Sequence, residues 1–150
     1  MNKRFQPPRV LFNASVIFSA YCSKKGASRA LMLLLKQKRI VGIISETILD
    51  ELLKHADKIP MGREQLQHEI VRNFGNILPA PEEKNVSQYK HLMMDHGDAH
   101  LFATAKEQHC THLVSLDKKH VLFLKNKLKP LHIVSPAELI LALKDDNTKK

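Results

Sequence analysis

Short apolar runs alternate with amphipathic segments along this chain. Nearly continuous apolar runs are typical of strands that are buried on both faces of a sheet. Such runs predict strands over residues 9–13, 39–44, 112–116 and 131–134. Hydrophobic residues at helical spacing predict helices over residues 29–36, 45–56, 63–74, 85–93, 97–109 and 118–125, and a final helix from Pro136. The chain is therefore predicted to alternate strands with helical segments.

Serine and proline residues near the ends of the predicted elements support these element boundaries. Ser28 and Ser45 each precede a helical segment and are predicted N-caps, because a serine side chain accepts hydrogen bonds from the first helical amides. Ser135 and Pro136 mark the start of the final helix, since proline is favoured at the first helical position. Residues 77–81 contain two prolines and are predicted to be a short edge strand or a loop, because proline cannot join a central ladder.

Strands that alternate with helices predict a parallel sheet, because each strand returns through a right-handed helical crossover. The expected fold is a three-layer α/β/α domain with a central, mostly parallel sheet. No repeat or linker divides the sequence, so we predict one domain over residues 1–143. Residues 144–150 are polar and mostly charged, and we predict that they form a disordered tail.

The composition fits a globular protein with a basic surface. The 150 residues include 24 Lys and Arg against 15 Asp and Glu, a formal charge of +9, and 43% of them are hydrophobic. A chain of this length buries about two thirds of its unfolded surface, which excludes the disordered and disulfide-dependent classes. The positive charge favours a polyanionic partner, with nucleic acid ahead of a membrane.

The sequence also bears on the compartment. Every apolar run is far shorter than the roughly 20 residues of a membrane span, and the first residues do not resemble a signal peptide, so we expect a cytoplasmic protein. In a reducing cytoplasm Cys22 and Cys110 are expected to be free thiols.

Polar residues with side-chain oxygens follow the predicted strands. Asn13 ends the first strand, Asp117 directly follows the strand over residues 112–116, and Glu51 lies two turns into the helix after the second strand. The carboxyl ends of parallel strands meet at one edge of a sheet, where such folds bind ligands. Asp98 shares the spacing of an apolar stripe on its helix, where a carboxylate is costly unless it is paired, capping or metal-bound.

These four residues together favour a cation site. Carboxylates that converge repel one another unless a cation lies between them, and Mg²⁺ or Mn²⁺ prefers such oxygen ligands. A basic protein with an acidic pocket has the charge distribution of a metal-dependent nuclease, because the basic surface holds the phosphate backbone around the ion. Taken singly, each residue has an ordinary explanation: Asp98 and Asp117 as helix caps, Glu51 as a solvated acid and Asn13 as a turn residue.

Five segments in order carry a family resemblance. They cover residues 10–20, 45–52, 95–105, 113–118 and 133–139. In this pattern the chain resembles the PIN-domain family over almost its whole length. The resemblance implies a metal-dependent ribonuclease fold, often the toxin half of a bacterial or archaeal toxin–antitoxin pair. RNA and an antitoxin protein are the implied partners, and Mg²⁺ or Mn²⁺ is the implied cofactor.

The resemblance also implies roles for single residues. Glu51, Asp98 and Asp117 fall on the metal-binding acids of the family, and Asp95 falls on a frequent accessory acid. Ser115 falls on the hydroxyl position before the last acid.

One position departs from the family pattern. The first and most characteristic acid falls at Asn13, and the polar residues usual near it appear as Ala14 and Ser15. An amide oxygen can contact Mg²⁺, but it brings no negative charge and cannot accept a proton from water. We therefore expect a weakened or inactive ribonuclease. Natural loss of the acid and a deliberate Asp-to-Asn change are both consistent with this sequence.

The resulting site prediction has three parts. The catalytic and metal-binding positions are Asn13, Glu51, Asp98 and Asp117, with Asp95 as a weaker metal ligand, and the accessory hydroxyls are Ser15 and Ser115. Two lysine pairs near the acidic edge are expected to hold RNA phosphates, although a solvated surface explains them equally well. These lysines are Lys24, Lys25, Lys118 and Lys119.

Alternatives stay open at this point. A non-catalytic PIN-like module would hold only RNA or an antitoxin segment. A phosphorelay receiver shares the sheet architecture, but this chain lacks paired acids after the first strand. His96 and His100 are four residues apart without the glutamate of a zinc-protease helix, which disfavours zinc. The apolar residues 18–21 and 31–35 fit either a homodimer contact or a buried helix.

Overall fold

The computed structural model describes residues 6–75, 77–93 and 96–148. Within these ranges the strands are β1 (Arg9–Phe12), β2 (Val41–Ile43), β3 (His112–Val114) and β4 (His132–Val134). The α-helices are α1 (Ala14–Cys22), α2 (Ala27–Lys36), α3 (Glu46–Lys54), α4 (Arg63–Phe74), α5 (Glu83–Lys90), α6 (Ala99–Glu107) and α7 (Pro136–Thr148). This order confirms the predicted alternation of strands with helical segments.

The four strands form one parallel sheet in the order β2-β1-β3-β4. Leu11 of β1 pairs with Ile43 of β2, Phe12 pairs with Val114 of β3, and Val114 pairs with Val134 of β4. Because all four strands run in the same direction, their carboxyl ends lie along one edge of the sheet. Together with the flanking helices, the sheet forms the three-layer α/β/α fold that the sequence predicts.

β1 lies at the centre of the hydrophobic core. Val10, Leu11 and Phe12 are fully buried, because β1 is paired on both sides within the sheet. Helix α6 packs against both β1 and β3, while α1 contacts α2 and α3, and α7 contacts α2. The residue that follows this buried strand, Asn13, is therefore held in a fixed position at the carboxyl edge.

Several predicted helices are confirmed. The helix over residues 63–74 is α4 with the same bounds. Those predicted over residues 85–93 and 97–109 correspond to α5 and α6 with shifted ends. Ser45 caps α3, because its Oγ accepts a hydrogen bond from the Ile48 N–H at 3.4 Å.

The start of α7 carries a reciprocal cap. The Glu138 N–H donates to Ser135 Oγ, and the Ser135 N–H donates to the Glu138 carboxylate at 2.9 Å. Lys125 Nζ also contacts Glu138, and this hydrogen bond together with the cap lowers the pKa of the Glu138 carboxyl. The predicted helix start at Ser135 and Pro136 is thus confirmed.

The predicted N-cap at Ser28 is wrong. Helix α2 begins at Ala27, two residues before the predicted start at residue 29, and Ser28 is buried inside it. Gly26 precedes the helix with a φ of 101°, a backbone conformation that favours glycine. The chain therefore turns into α2 through backbone freedom rather than through a side-chain cap.

The predicted helix over residues 118–125 is also wrong. This segment forms turns and a short 3₁₀ helix at Leu122–Leu124. Asp117 caps the first turn, since its Oδ1 accepts a hydrogen bond from the His120 N–H at 2.9 Å. The turn does not continue as an α-helix, because the Leu122 N–H bonds to the Asp117 carbonyl at 2.9 Å, whereas an α-helical bond would reach the Lys118 carbonyl.

The sequence also made predictions for residues 77–81 and for the C-terminal tail. Leu78, within residues 77–81, forms an isolated parallel bridge with Ser45. Helix α7 extends to Thr148, so part of the predicted disordered tail is helical; its residues include strong helix formers and no glycine or proline after Pro136. Lys149 and Lys150 lie outside the described residues.

The apolar segments on α1 and α2 are mostly buried. Leu31 and Leu35 lie in the core, and Ala20 and Tyr21 are also buried, whereas Leu33 is 50% exposed. A buried helix therefore accounts for most of the apolar residues in these two segments.

Two further sequence expectations concern membranes and cysteines. In the described part of the chain, no helix has the length and apolar character needed to cross a membrane. Cys22 is an exposed free thiol, and Cys110 is a half-buried one. Burial raises the pKa of the Cys110 thiol to about 11, so this thiol stays protonated at neutral pH.

Gly42 allows α4 to lie close to β2. A Cβ at this position would lie 2.7 Å from the Phe74 ring and 2.8 Å from Leu35 Cδ1. Gly42→Ala is therefore expected to lower the free energy of unfolding by about 1–3 kcal/mol, measured by urea denaturation. The loss should be smaller in a Phe74→Leu background, which makes room for the methyl group. Equal losses in both backgrounds would contradict the steric explanation.

Candidate active site

A cleft of about 740 Å³ lies at the carboxyl edge of the sheet. Its walls come from the first half of α1, from α3 and the segment after it, from Asp98 just before α6, and from the loop after β3. Five of the predicted site residues line it, namely Asn13, Ser15, Glu51, Asp98 and Asp117. The parallel topology thus brings distant parts of the sequence to one place.

Asn13 connects the end of β1 to the start of α1, and both halves of its side-chain amide are hydrogen-bonded. Its Oδ1 accepts from the Ala14 N–H at 2.8 Å, and its Nδ2 donates to Ser115 Oγ at 2.9 Å. Its backbone N–H bonds to the Val114 carbonyl at 3.0 Å. Asn13 is therefore fixed as the N-cap of α1, and this position of the cleft carries no negative charge.

The two predicted accessory hydroxyls hold the loop that carries Asp117. Ser115 is fully buried, and its Oγ accepts hydrogen bonds from Asn13 Nδ2 and from the Asp117 N–H, the latter at 3.0 Å. Ser15 Oγ accepts from the Leu116 N–H at 3.2 Å. Through these bonds the start of α1 and the loop after β3 position each other.

Asp98 and Asp117 approach each other together with a histidine that lies outside the predicted ligand set. One ligand atom each from Asp98, Asp117 and His120 lies within 4.8 Å of the other two, and all three residues are half-buried. His120 Nδ1 lies 3.2 Å from Asp117 Oδ2. His120 follows Asp117 by three residues in the sequence, and this spacing was the available signal that the two side chains could lie close together. Asp95 lies outside the described residues.

Glu51 reaches the cleft from α3 and has a different partner. Its Oε1 lies 3.1 Å from His100 Nε2. The Glu51 side chain is 45% exposed, whereas that of His100 is 10% exposed. The helical pattern alone did not separate Glu51 from Glu46 or Asp50, but of these three acids Glu51 is the one that lines the cleft.

Two lysines line the cleft, whereas the four predicted RNA-binding lysines do not. The four lysines predicted to bind RNA are all exposed: Lys24, Lys25, Lys118 and Lys119. Lys54 and Lys58 line the cleft itself and were not predicted. Lys54 follows Glu51 by three residues on α3, which places both on one helix face and was the available signal. Phe18 also lines the cleft, where it offers an aromatic ring for base stacking.

A family model described as a PIN domain matches residues 9–119. The chain belongs to the PIN-domain family. Asp98 and Asp117 both lie within the matched region of this PIN domain, and His120 lies just beyond it. No protein of curated function gives a significant match to the sequence.

Two solved structures resemble this PIN domain. One is VapBC2 from Rickettsia felis bound to a DNA fragment from its promoter, with a TM-score of 0.58 and 16% identity, covering 85% of this chain and 98% of that chain. The other is VapC20 from Mycobacterium tuberculosis, described as a Sarcin-Ricin loop cleaving toxin, with a TM-score of 0.52 and 13% identity. The similarity to VapC20 covers 73% of this chain and 91% of the VapC20 chain. At these identities the similarity is one of fold.

The donor atoms of Asp98, Asp117 and His120 fit a divalent cation. Two carboxylates and an imidazole lie close enough together for one ion to contact all three. Without a cation between them, the carboxylates of Asp98 and Asp117 would repel each other in a half-buried cleft. The chemistry of these side chains is therefore compatible with the metal expected for the family.

Proposed function

We propose that this PIN domain is a metal-dependent endoribonuclease, the toxin component of a toxin–antitoxin pair, whose activity is weakened by Asn13. The observation that supports this most is the approach of Asp98 and Asp117 inside the cleft that Glu51 also lines. Carboxylate oxygens of these residues would hold Mg²⁺ or Mn²⁺. When bound, such a cation polarises the scissile phosphate and lowers the pKa of the attacking water.

The protein's own residues prepare the cleft for this chemistry. Ser15 and Ser115 hold the Asp117 loop in place. Glu51, oriented by His100, presents a carboxylate that can accept a proton from water. Asn13 supplies neither a charge nor a proton acceptor at the position where the family has its first acid, and the proposed activity is weak for this reason.

Positive charge around the cleft supports RNA as the substrate. Lys54 and Lys58 line the cleft, and Lys118 and Lys119 are exposed directly after Asp117. Lysines at these places can neutralise phosphates on either side of the cleaved bond. Phe18 offers a ring on which an unpaired base can stack, which favours single-stranded RNA. Lys24 and Lys25 are exposed between α1 and α2 and add to the positive charge of the protein.

The toxin assignment rests on similarity of fold. One similar structure is a VapBC2 assembly on promoter DNA, and the other is a toxin that cleaves the Sarcin-Ricin loop. Taken together, these two structures support an antitoxin partner and an RNA target for this chain.

Removal of one carboxylate tests the proposed ribonuclease. With Mn²⁺ and an end-labelled single-stranded RNA, we expect slow cleavage that a chelator stops. Asp98→Asn should lower the rate by about tenfold or more, because it removes a charged ligand while keeping the side-chain shape. Asp50→Asn is the matched control, since Asp50 is exposed on α3 and does not line the cleft. Equal rates for the wild type and Asp98→Asn would contradict the proposed function.

A non-catalytic module that binds RNA or an antitoxin is the second candidate. The hydrogen bonds of Asn13 favour it, because both halves of the amide are used to hold α1 and the loop after β3. A wild-type protein that binds single-stranded RNA, as measured by fluorescence anisotropy, and leaves it intact in the presence of Mn²⁺ would support this candidate.

A further inference from the structure

We propose that His120 is a direct ligand of the cation in this cleft, and that the site prefers a transition-metal ion such as Mn²⁺ over Mg²⁺. The proposal rests on the metal-dependent function above. It adds a nitrogen ligand to a site that the family resemblance builds from acids alone.

Asn13 and Glu51, the other two of the four predicted catalytic ligands, differ from Asp98 and Asp117: Asn13 is uncharged, and Glu51 lies apart from their ligand atoms. Asn13 Oδ1 accepts a hydrogen bond from the Ala14 N–H, and its Nδ2 donates to Ser115. Glu51 Oε1 lies 3.1 Å from His100 Nε2, and Glu51 does not belong to the group of ligand atoms within 4.8 Å of one another. Among the acidic, cysteine and histidine side chains of the described residues, His120 is therefore the one whose ligand atom lies within 4.8 Å of those of both Asp98 and Asp117.

The geometry of His120 suits coordination. Neighbouring ligands of a six-coordinate ion at about 2.1 Å lie about 3.0 Å apart. His120 Nδ1 and Asp117 Oδ2 are separated by 3.2 Å, a hydrogen-bond contact that a cation bound by both atoms would replace. The backbone N–H of His120 bonds to Asp117 Oδ1 and fixes the turn between the two residues. The two side chains could thus both contact one cation with little movement, and Asp98, the residue before α6, is close enough to be a third ligand.

An imidazole ligand changes the ion preference. Mg²⁺ prefers oxygen ligands and is held mainly by charge, whereas first-row transition-metal ions accept imidazole nitrogen readily. Asp98, Asp117 and His120 bring two negative charges and one nitrogen. We expect this set of ligands to bind Mg²⁺ weakly. An ion that accepts nitrogen would be bound more tightly, because it also forms a bond to the imidazole.

A structural role for His120 predicts a different outcome. If the histidine only closes the turn after Asp117, its loss displaces the Asp117 carboxylate and lowers the affinity for every cation to the same extent. The ratio of Mn²⁺ to Mg²⁺ affinity therefore separates ligation from positioning.

Calorimetric titration of the full chain with each metal alone measures this ratio. The wild type should bind Mn²⁺ at least about tenfold more tightly than Mg²⁺. His120→Ala should lower the Mn²⁺ affinity by about tenfold or more and the Mg²⁺ affinity by less than about threefold. His120→Asp should shift the preference back toward Mg²⁺. His68→Ala, which removes an exposed histidine on α4, should leave both affinities unchanged.

A spectroscopic measurement detects the nitrogen directly. Electron spin-echo modulation of bound Mn²⁺ should show nitrogen coupling in the wild type and in His68→Ala, and none in His120→Ala. Coupling that survives in His120→Ala, or equal losses of Mn²⁺ and Mg²⁺ affinity, would overturn the ligand assignment and leave the proposed ribonuclease intact. A wild type that binds neither metal would overturn both proposals.

Discussion

Asn13→Asp is expected to raise metal-dependent cleavage of single-stranded RNA by about tenfold or more. The new carboxylate adds a negative charge at the end of β1, in the same cleft as Asp98 and Asp117, so a cation is held more tightly. It also supplies a proton acceptor that the amide lacks.

The structure accommodates this change without rearrangement. Ser115 Oγ accepts a hydrogen bond from Asn13 Nδ2, and a hydroxyl can instead donate to a carboxylate oxygen at the same place. The bond from the Ala14 N–H is retained, because aspartate caps a helix as well as asparagine does. The folded state should therefore keep its stability while the cleft gains charge.

Rates measured with Mn²⁺ and with Mg²⁺ test this expectation. The double variant Asn13→Asp with Asp98→Asn is the matched control, because it restores the wild-type net charge but lacks a ligand. We expect no gain in that background. If Asn13→Asp cleaves no faster than the wild type, position 13 is not a ligand position. If the double variant gains as much as the single one, a general charge effect is responsible.

Phe12→Ala is expected to lower the free energy of unfolding by about 3–5 kcal/mol. Phe12 is fully buried on the central strand, and its ring meets that of Phe74 edge-on, with centroids 5.0 Å apart and an interplanar angle of 83°. Alanine would leave a cavity between β1 and α4 and would remove the ring contact. The loss should appear in urea denaturation as a lower midpoint with an unchanged slope.

Controls separate volume from ring geometry. Phe12→Leu retains most of the buried volume and should cost less than Phe12→Ala. A double-mutant cycle of Phe12→Leu and Phe74→Leu should give a coupling of about 0.5–1.5 kcal/mol from the ring pair. A Phe12→Ala variant as stable as the wild type would show that the core around β1 is not packed as described.

The central layer of the fold could be predicted because buried parallel strands are apolar on both faces. Residues 9–13 and 112–116 are short apolar runs of this kind, and they contain β1 and β3. α4 was predicted with the same bounds because its amphipathic pattern is not interrupted. Periodicity identifies such elements from local sequence alone.

Local backbone conformation is harder to predict. Ser28 has the chemistry of an N-cap, yet the backbone conformation of Gly26 starts α2 earlier. Residues 118–125 have helical spacing, yet the Leu122 N–H bonds to the Asp117 carbonyl and the first turn does not continue as an α-helix. In both cases the local backbone conformation decides the outcome, and periodicity does not report it.

The candidate site was predictable where topology alone places a residue. Asn13 and Asp117 follow neighbouring strands, so their convergence at the cleft follows from the parallel order. The contact between Glu51 and His100 joins residues 49 positions apart, and it depends on how α3 and α6 approach each other. The sequence contains no local pattern that reports such a contact.

The hydroxyl of Ser115 has an evolutionary consequence. Because it can accept from an amide or donate to a carboxylate, the framework beneath the cleft tolerates either side chain at position 13. A lineage with this framework can lose its first acid in a single substitution, persist as a folded protein, and regain the acid in a single reversion. Loss of catalysis at this position does not require loss of the domain.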